Sequence, residues 1–345
     1  MRENETTARA PKVSIVIPVF NAEGYFTDTL RGLTNQTYTD FEVIFVDDGS
    51  TDKSLALLTK FAGEDCRAKV LTRKHQYAGA ARNYGMAQAR GEFLLFLDAD
   101  DFFAPDMLEK AVKRAERTKA DICVFRVDRF DQNTGTRVSM RWACNKWLCP
   151  IFSETFSRRT NPKNIFWFTT AAPWNKLFRR DFVSRNKLLF QDTRSANDMA
   201  FVMTALAAAD RIAICDAMLL TYRVNNSSSL QGSQHKKPDD FYLALLELRK
   251  RLRERGLYVE LEPAFLNFAL DTCIYNLKTL STEESFENIF YLLKNTAFQE
   301  LDLVRRPREY FYAYKHNHIF ENREDIINMS ADAFSLKNGL TFSAN

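Results

Sequence analysis

A chain of 345 residues exceeds one typical domain and suits a core of about 200 residues with a further region attached. With 46% apolar residues, 27% charged residues and 29 Phe, it can bury a sizeable core and lacks the composition of a disordered protein. Its net charge of +4 is too mild for a dedicated nucleic-acid binder, although Arg126 to Arg180 holds eleven Lys/Arg against three acids.

In chain order, residues 1–10 are polar, have no signal-peptide core, and are expected to form a disordered tail. VSIVIPVF (13–20) is a continuous apolar, β-branched run, as expected of a strand covered on both faces. A helix pattern follows from Ala22 to Asn35, then a second strand, FEVIFVDDGSTD (41–52), ends in acids and a glycine turn. Ser50 or Thr51 is the expected cap of the next helix. A strand at 68–73, a helix from Gly79 to Arg90 and the strand EFLLFLD (92–98) come next, and Pro105 opens a further helix before the strand ADICVFRV (120–127). This alternation predicts an α/β fold with a largely parallel sheet.

Residues 128–172 mix aromatic and basic residues without a clear period. A helix is expected at Ala196 to Ala209 and a strand at RIAICD (211–216), leading into LLTYRVNN. From Asp239 onward the pattern is helical, so the expected division is a first domain at 11–232 and a helical C-terminal region at 239–345. No G-x-G-x-x-G follows the first strand and no Walker A loop is present, which removes the main support for an NAD-type or P-loop protein. The six cysteines are dispersed without a C-x-x-C pair, and no apolar run reaches 18 residues, so a reduced, cytoplasmic location is expected.

In open α/β sheets, ligands bind outside the carboxyl ends of the strands. Three such ends carry polar or turn chemistry: Pro18 to Asn21, Asp47–Asp48–Gly49, and Asp98 to Asp101. Adjacent carboxylates repel by roughly 4 kcal/mol at 4 Å in an effective dielectric near 20, so a divalent cation is the natural partner of Asp98, Asp100 and Asp101.

At these residues, IPVFNAEGYF, DFEVIFVDDGSTDKS, AGAARNYGMAQARGEFLLFLDADD and WNKLFRRDF together resemble bacterial family-2 glycosyltransferases of the GT-A fold, over about residues 11–230. The resemblance implies a UDP-sugar donor, with Pro18, Val19 and Asn21 along the base, Asp48 of the Asp47–Asp48 pair accepting from the uracil, and Arg82 on the donor side. It makes Asp98 and Asp100 a D-x-D motif for Mn²⁺ or Mg²⁺, with Asp100 the direct ligand, Asp98 nearer the ribose and Asp101 a further candidate. The family's acidic pair corresponds to Asn197–Asp198, so Asp198 is the candidate general base of an inverting transfer, while asparagine stands where relatives have glutamate.

Trp174, Asn175 and Lys176 match an acceptor-side motif, and Arg223 with Asn226, Ser227 and Ser228 matches a segment over the diphosphate. The implied acceptor is a growing surface or capsular polysaccharide or a lipid-linked oligosaccharide. The basic, aromatic stretch at 141–152 keeps open a peripheral contact with the inner face of the plasma membrane, and the C-terminal helices keep open an oligomer. His75 and His235 read as surface residues. The reading from a different class is a nucleotide-sugar-binding protein without catalysis; a nucleotidyltransferase lacks the glycine-rich loop it would need after the first strand.

Overall fold

A computed structural model describes residues 9–150, 152–224, 238–312 and 318–342. The first half builds β1 (Val13–Val19), α1 (Phe26–Thr34), β2 (Phe41–Asp47), α2 (Ser54–Glu64), β3 (Ala68–Thr72), α3 (Tyr77–Gln88) and β4 (Phe93–Phe96). These four strands lie side by side and parallel in the order β3-β2-β1-β4. Because β1 and β2 are buried on both faces, their sequences are continuously apolar rather than alternating.

Two short segments, β5 (Phe102–Phe103) and α4 (Met107–Thr118), lead to the long β6 (Ile122–Asp131) and the excursions β7 (Arg137–Ser139) and β8 (Thr155–Phe156). Then come β9 (Lys176–Arg179), α5 (Arg180–Arg185), α6 (Met199–Ala208) and β10 (Ile212–Val224). β9 inserts antiparallel between β4 and β6, and β10 runs parallel to β6 with register shifts between Cys215 and Leu220. The sheet is therefore mixed, with a parallel block of four strands on the first half and the parallel pair β6 and β10 beyond β9.

Alternate side chains of β1 feed two cores. Ile15, Ile17 and Val19 pack with α1, α2 and α4, whereas Val16 faces the core shared by α3 and α6. α6 is apolar on all sides and buried throughout, because the sheet covers one side and α7 (Asp240–Glu254) the other. α7 is followed by α8 (Tyr258–Lys278), α9 (Glu283–Leu292), α10 (Phe298–Glu300), α11 (Ile319–Asn328) and α12 (Ala331–Lys337). Their apolar residues, Phe265, Phe286 and Phe334 among them, continue the core that begins at Val16. The helical region and the sheet thus share one interior; the expected boundary at 230–238 lies, except for Pro238, outside the described residues.

Helix starts differ from expectation for local reasons. α2 is opened by Asp52, whose Oδ1 accepts from the Ser54 amide, while the Ser50 hydroxyl accepts from the Asn21 amide. α6 begins three residues after Ala196, which adopts a left-handed φ of 50° that breaks the helix.

Candidate active site

The loops after β1 and β2 hold each other at the carboxyl edge of the sheet. The Asp48 amide donates to Val19 O (2.8 Å), and Asn21, at a left-handed φ of 49°, accepts on Oδ1 from the Thr51 amide (2.8 Å). Pro18 is partly exposed beside the buried Val19. Asp47 accepts from the Ser50 amide on Oδ2 (3.2 Å), and its buried Oδ1 has no protein partner.

Asp48 is buried, and both its oxygens accept from the Gln76 amide at 3.1 Å. Arg73 Nε lies 3.3 Å from its Oδ1 and His75 Nδ1 2.9 Å from its Oδ2. Burial pushes this carboxyl up; the Gln76 amide, His75 and Arg73 pull it back down. The His75 ring stacks at 4.1 Å on Phe20, an exposed aromatic, and meets Tyr77 edge-on at 4.8 Å. In the sequence Arg73 ends an expected strand, His75 reads as a surface residue and nothing singles out Phe20; the meeting of all three near Asp48 comes from the fold.

Arg82 joins the next two parts. Its side chain, on α3, is buried; one terminal nitrogen donates to Asp98 Oδ1 (2.6 Å), the other to Asn197 Oδ1 (3.1 Å). α3 can lie this close only because residue 79 is glycine: a Cβ there would sit 2.0 Å from Gln191 O and 2.9 Å from Asn197 Cβ. Asn197 thus occupies the position opposite a buried guanidinium with a neutral amide.

Asp98 and Asp100 are partly exposed, and Asp101 is fully buried. Asp101 Oδ1 accepts from the Arg223 amide (3.1 Å), and its Oδ2 is buried without a protein partner. Burial first, then the neighbouring Asp100 and Asp98, push this carboxyl well above the ordinary range. No three His, Cys, Asp or Glu side chains form a ready metal cage among the described residues. A hard divalent ion carrying a diphosphate needs only one or two carboxylates, however, and the orphaned Asp101 oxygen beside Asp98 and Asp100 fits an arriving cation.

Arg223 is held more tightly than a free phosphate contact would be. Its Nε donates to Asp100 O (2.8 Å), and its terminal nitrogens donate to Gln132 Oε1 (2.7 Å) and Asp28 Oδ2 (2.9 Å). The guanidinium also lies 4.1 Å from the Phe102 ring centre. It therefore fixes the turn bearing Asp100 and Asp101. Asn226, Ser227 and Ser228 lie outside the described residues.

The acceptor-side triplet is interior. Trp174 is buried and stacks on Tyr222 at 5.6 Å. Asn175 donates to Phe125 O (3.1 Å) and Ala143 O (2.8 Å), while Lys176 Nζ donates to Thr170 O (2.9 Å), Ala172 O (2.8 Å) and Asn175 Oδ1 (2.7 Å). Burial pulls the Lys176 amine down to about 7, against the opposing pull of Cys144 and Asp198. These residues brace the loop at 170–175 from behind, with their polar atoms turned inward.

Asp198 is the N-cap residue of α6, yet its side chain makes no capping hydrogen bond. Burial raises its carboxyl; Arg82 and Lys176 lower it and Asp98 raises it, so Asp198 belongs electrostatically to the same cluster as the donor-side acids. Its carboxyl is thus raised above the ordinary range and is not spent on capping the helix.

Strand-end acids, an orphaned carboxylate oxygen and a raised aspartate thus gather at the carboxyl edge of a GT-A sheet. A family model described as "Glycosyl transferase family 2" matches residues 14–186. The putative glycosyltransferase EpsH of Bacillus subtilis (strain 168) is 31% identical over 84% of this chain and 85% of its own length. The uncharacterized glycosyltransferase EpsJ of the same strain is 32% identical over 68% and 67% of the two chains. The chain belongs to glycosyltransferase family 2 and is a glycosyltransferase. Staphylococcus aureus TarS, a poly(ribitol-phosphate) beta-N-acetylglucosaminyltransferase, is 29% identical over 73% of this chain and 42% of its own length. Its 1–349 fragment in complex with UDP-GlcNAc has the same fold, with a TM-score of 0.69 at 22% identity over 97% of this chain and 94% of that one. Asn197, Asp198 and Arg223 lie beyond the residues matched by the family model. No described helix is long and apolar enough to cross a membrane.

Proposed function

We propose that the protein moves a glycosyl group, with inversion, from a UDP-sugar to a hydroxyl of a growing surface or capsular polysaccharide or a lipid-linked oligosaccharide. The observation that carries this reading is the pair of hydrogen bonds from Arg82 to Asp98 and Asn197, which joins the strand-end acids to the Asn197–Asp198 loop. TarS, solved with UDP-GlcNAc, supports a UDP-sugar as donor class and makes UDP-GlcNAc the first to try.

In this reading Pro18, Val19, Asn21, Asp47 and Asp48 line the base, with Phe20 and His75 beside it. Arg82 orients Asp98 on the donor, and Asp198 takes the proton of the acceptor hydroxyl. The new bond forms between that oxygen and the anomeric carbon while the bond to the β-phosphate oxygen breaks, its electron pair leaving with UDP. Asp100, with Asp98 or Asp101, would hold Mn²⁺ or Mg²⁺, which when bound supplies charge neutralisation on the departing diphosphate. Trp174, Asn175 and Lys176 support the acceptor wall from within, and Arg223 keeps the acidic turn in place. The exposed Trp142, Trp147 and Phe152, near Arg141 and Lys146, suit an anionic membrane face where a lipid-linked acceptor would lie.

The test is UDP release from a panel of UDP-sugars, with Mn²⁺ or Mg²⁺ and with excess chelator. Turnover of one donor, lost on chelation and in Asp100→Ala, is the expected result; undiminished turnover under chelation would remove the metal. The neutral Asn197 favours one second reading, a binding protein without catalysis. That protein would bind UDP by calorimetry and turn over no donor with any acceptor.

A further inference from the structure

The loop that carries the candidate base is anchored from the C-terminal helices. Asp240, the first residue of α7, is 5% exposed, and its Oδ2 accepts from both the Ser195 amide (2.7 Å) and the Ser195 hydroxyl (2.9 Å). Ser195 stands three residues before Asp198, and the intervening Ala196 holds a left-handed φ of 50°. Such a backbone state costs an L residue about 1–3 kcal/mol and persists only where its surroundings enforce it.

The other ties on this loop meet it at different points. Gln191 N donates to Asn197 O (3.0 Å), the Thr193 hydroxyl to Ser195 O (2.8 Å), and Arg82 to Asn197 Oδ1. Each of these comes from the loop itself or from α3. Asp240 is the anchor from the opposite side, and a carboxylate is the strongest acceptor available for two converging donors. α7 also packs along α6, whose start is Asp198, so Asp240 and the α6–α7 contact together fix where the loop meets the helix.

We propose that Asp240 is a positioning residue: through Ser195 it sets the backbone that presents Asn197 and Asp198 to the acceptor, and so makes the C-terminal helices part of the transfer machinery. This rests on Asp198 being the base. It differs from a general stabilising role, which would weaken donor binding and turnover alike.

The test uses the full chain with Asp240→Ala, Asp240→Asn and Ser195→Ala, measuring UDP affinity by calorimetry and UDP release from UDP-GlcNAc or whichever UDP-sugar the wild type turns over. Asp240→Ala should slow turnover at least tenfold with UDP affinity within twofold. It should also move the acid limb of the pH–rate profile, because Asp198 changes surroundings. Asp240→Asn keeps an acceptor oxygen for Ser195 and should recover most of the rate. If Asp240→Ala does not fold, Ser195→Ala removes one of the two bonds alone and should show the same split in milder form.

Hydrogen–deuterium exchange separates this inference from the reading beneath it. Faster exchange in Asp240→Ala at 191–199, with the β1 and β2 peptides unchanged, is expected even if no donor is found. Unchanged exchange there, or a turnover within twofold of wild type, overturns the positioning role. Full activity in Asp198→Asn overturns the base instead, whatever Asp240 does.

Discussion

The edge formed by the ends of β1, β2 and β3, proposed above to take the donor, and the edge around α6, proposed to face the acceptor, are built by different means. On the donor edge, contacts run between neighbouring strand ends: Asp47 to Ser50, Asn21 to Thr51, Asp48 to Gln76, none more than 30 residues apart. On the acceptor edge they run between remote segments: Arg82 to Asn197 across 115 residues and Ser195 to Asp240 across 45. A donor edge of that kind is a set of turns that fold with their own strands. The acceptor edge exists only once α3, α6 and α7 are all docked.

The largest expected effect separates the two edges by chemistry. Asp198→Asn should reduce turnover by about 10²–10⁴-fold, the usual worth of a positioned general base, while UDP affinity stays near wild type. Loss of UDP binding in the same variant would mean that the edges are not separable. Because burial raises Asp198, wild-type turnover should fall as pH drops through that raised value, and Asp198→Asn should lose this acid limb.

A steric effect of intermediate size comes from two glycines. Gly79→Ala drives a methyl onto Gln191 O and Asn197, and overpacking against backbone should cost about 1–3 kcal/mol in urea melts, with turnover falling further than stability. Gly63→Ala, in α2, meets nothing within 4 Å and should be neutral or stabilise by about 0.5–1 kcal/mol. Equal costs at the two sites would show that the α3 contact with the acceptor loop is not tight.

The smallest effect concerns Lys176 behind the acceptor wall. Its amine is held near 7 in the fold against 10.5 when unfolded, so between those values the unfolded chain binds the extra proton. Stability should therefore rise with pH from 7 to 9, by at most about 1.4 kcal/mol per pH unit. Lys176→Met should lack that rise, although it also orphans Thr170 O and Ala172 O and lowers stability throughout. A slope unchanged in the variant would assign the rise to other groups.

The same contrast decides what the sequence could reveal. β1, β2 and β4 are buried on both faces, so their apolar runs and terminal acids are visible without knowing any partner. β9 is four residues long and carries a buried lysine, and β7 and β8 are shorter still, so no periodicity marks them. The sheet is mostly parallel, as expected, and the antiparallel entry of β9 that makes it mixed is a matter of tertiary pairing. Asp47, Asp48, Asp98 and Asp100 were legible as strand-end acids. His75 and Arg73 were not, since their meaning comes from Asp48 on the neighbouring strand. Asp240 was invisible for the same reason: an acid opening a helix is ordinary until Ser195 is found against it.

Arg82 has a consequence for the order of events. In the proposed reading a single guanidinium touches one group on each substrate's side, so a donor that reorients Asp98 would also shift Arg82 against Asn197. Affinities coupled through a shared contact are reciprocal: whatever the donor adds to acceptor binding, the acceptor returns to the donor. Calorimetry should accordingly show a UDP-sugar affinity that changes when acceptor is present, and uncoupling the two would take no more than Arg82→Lys, whose lone ammonium lacks the fork to span both.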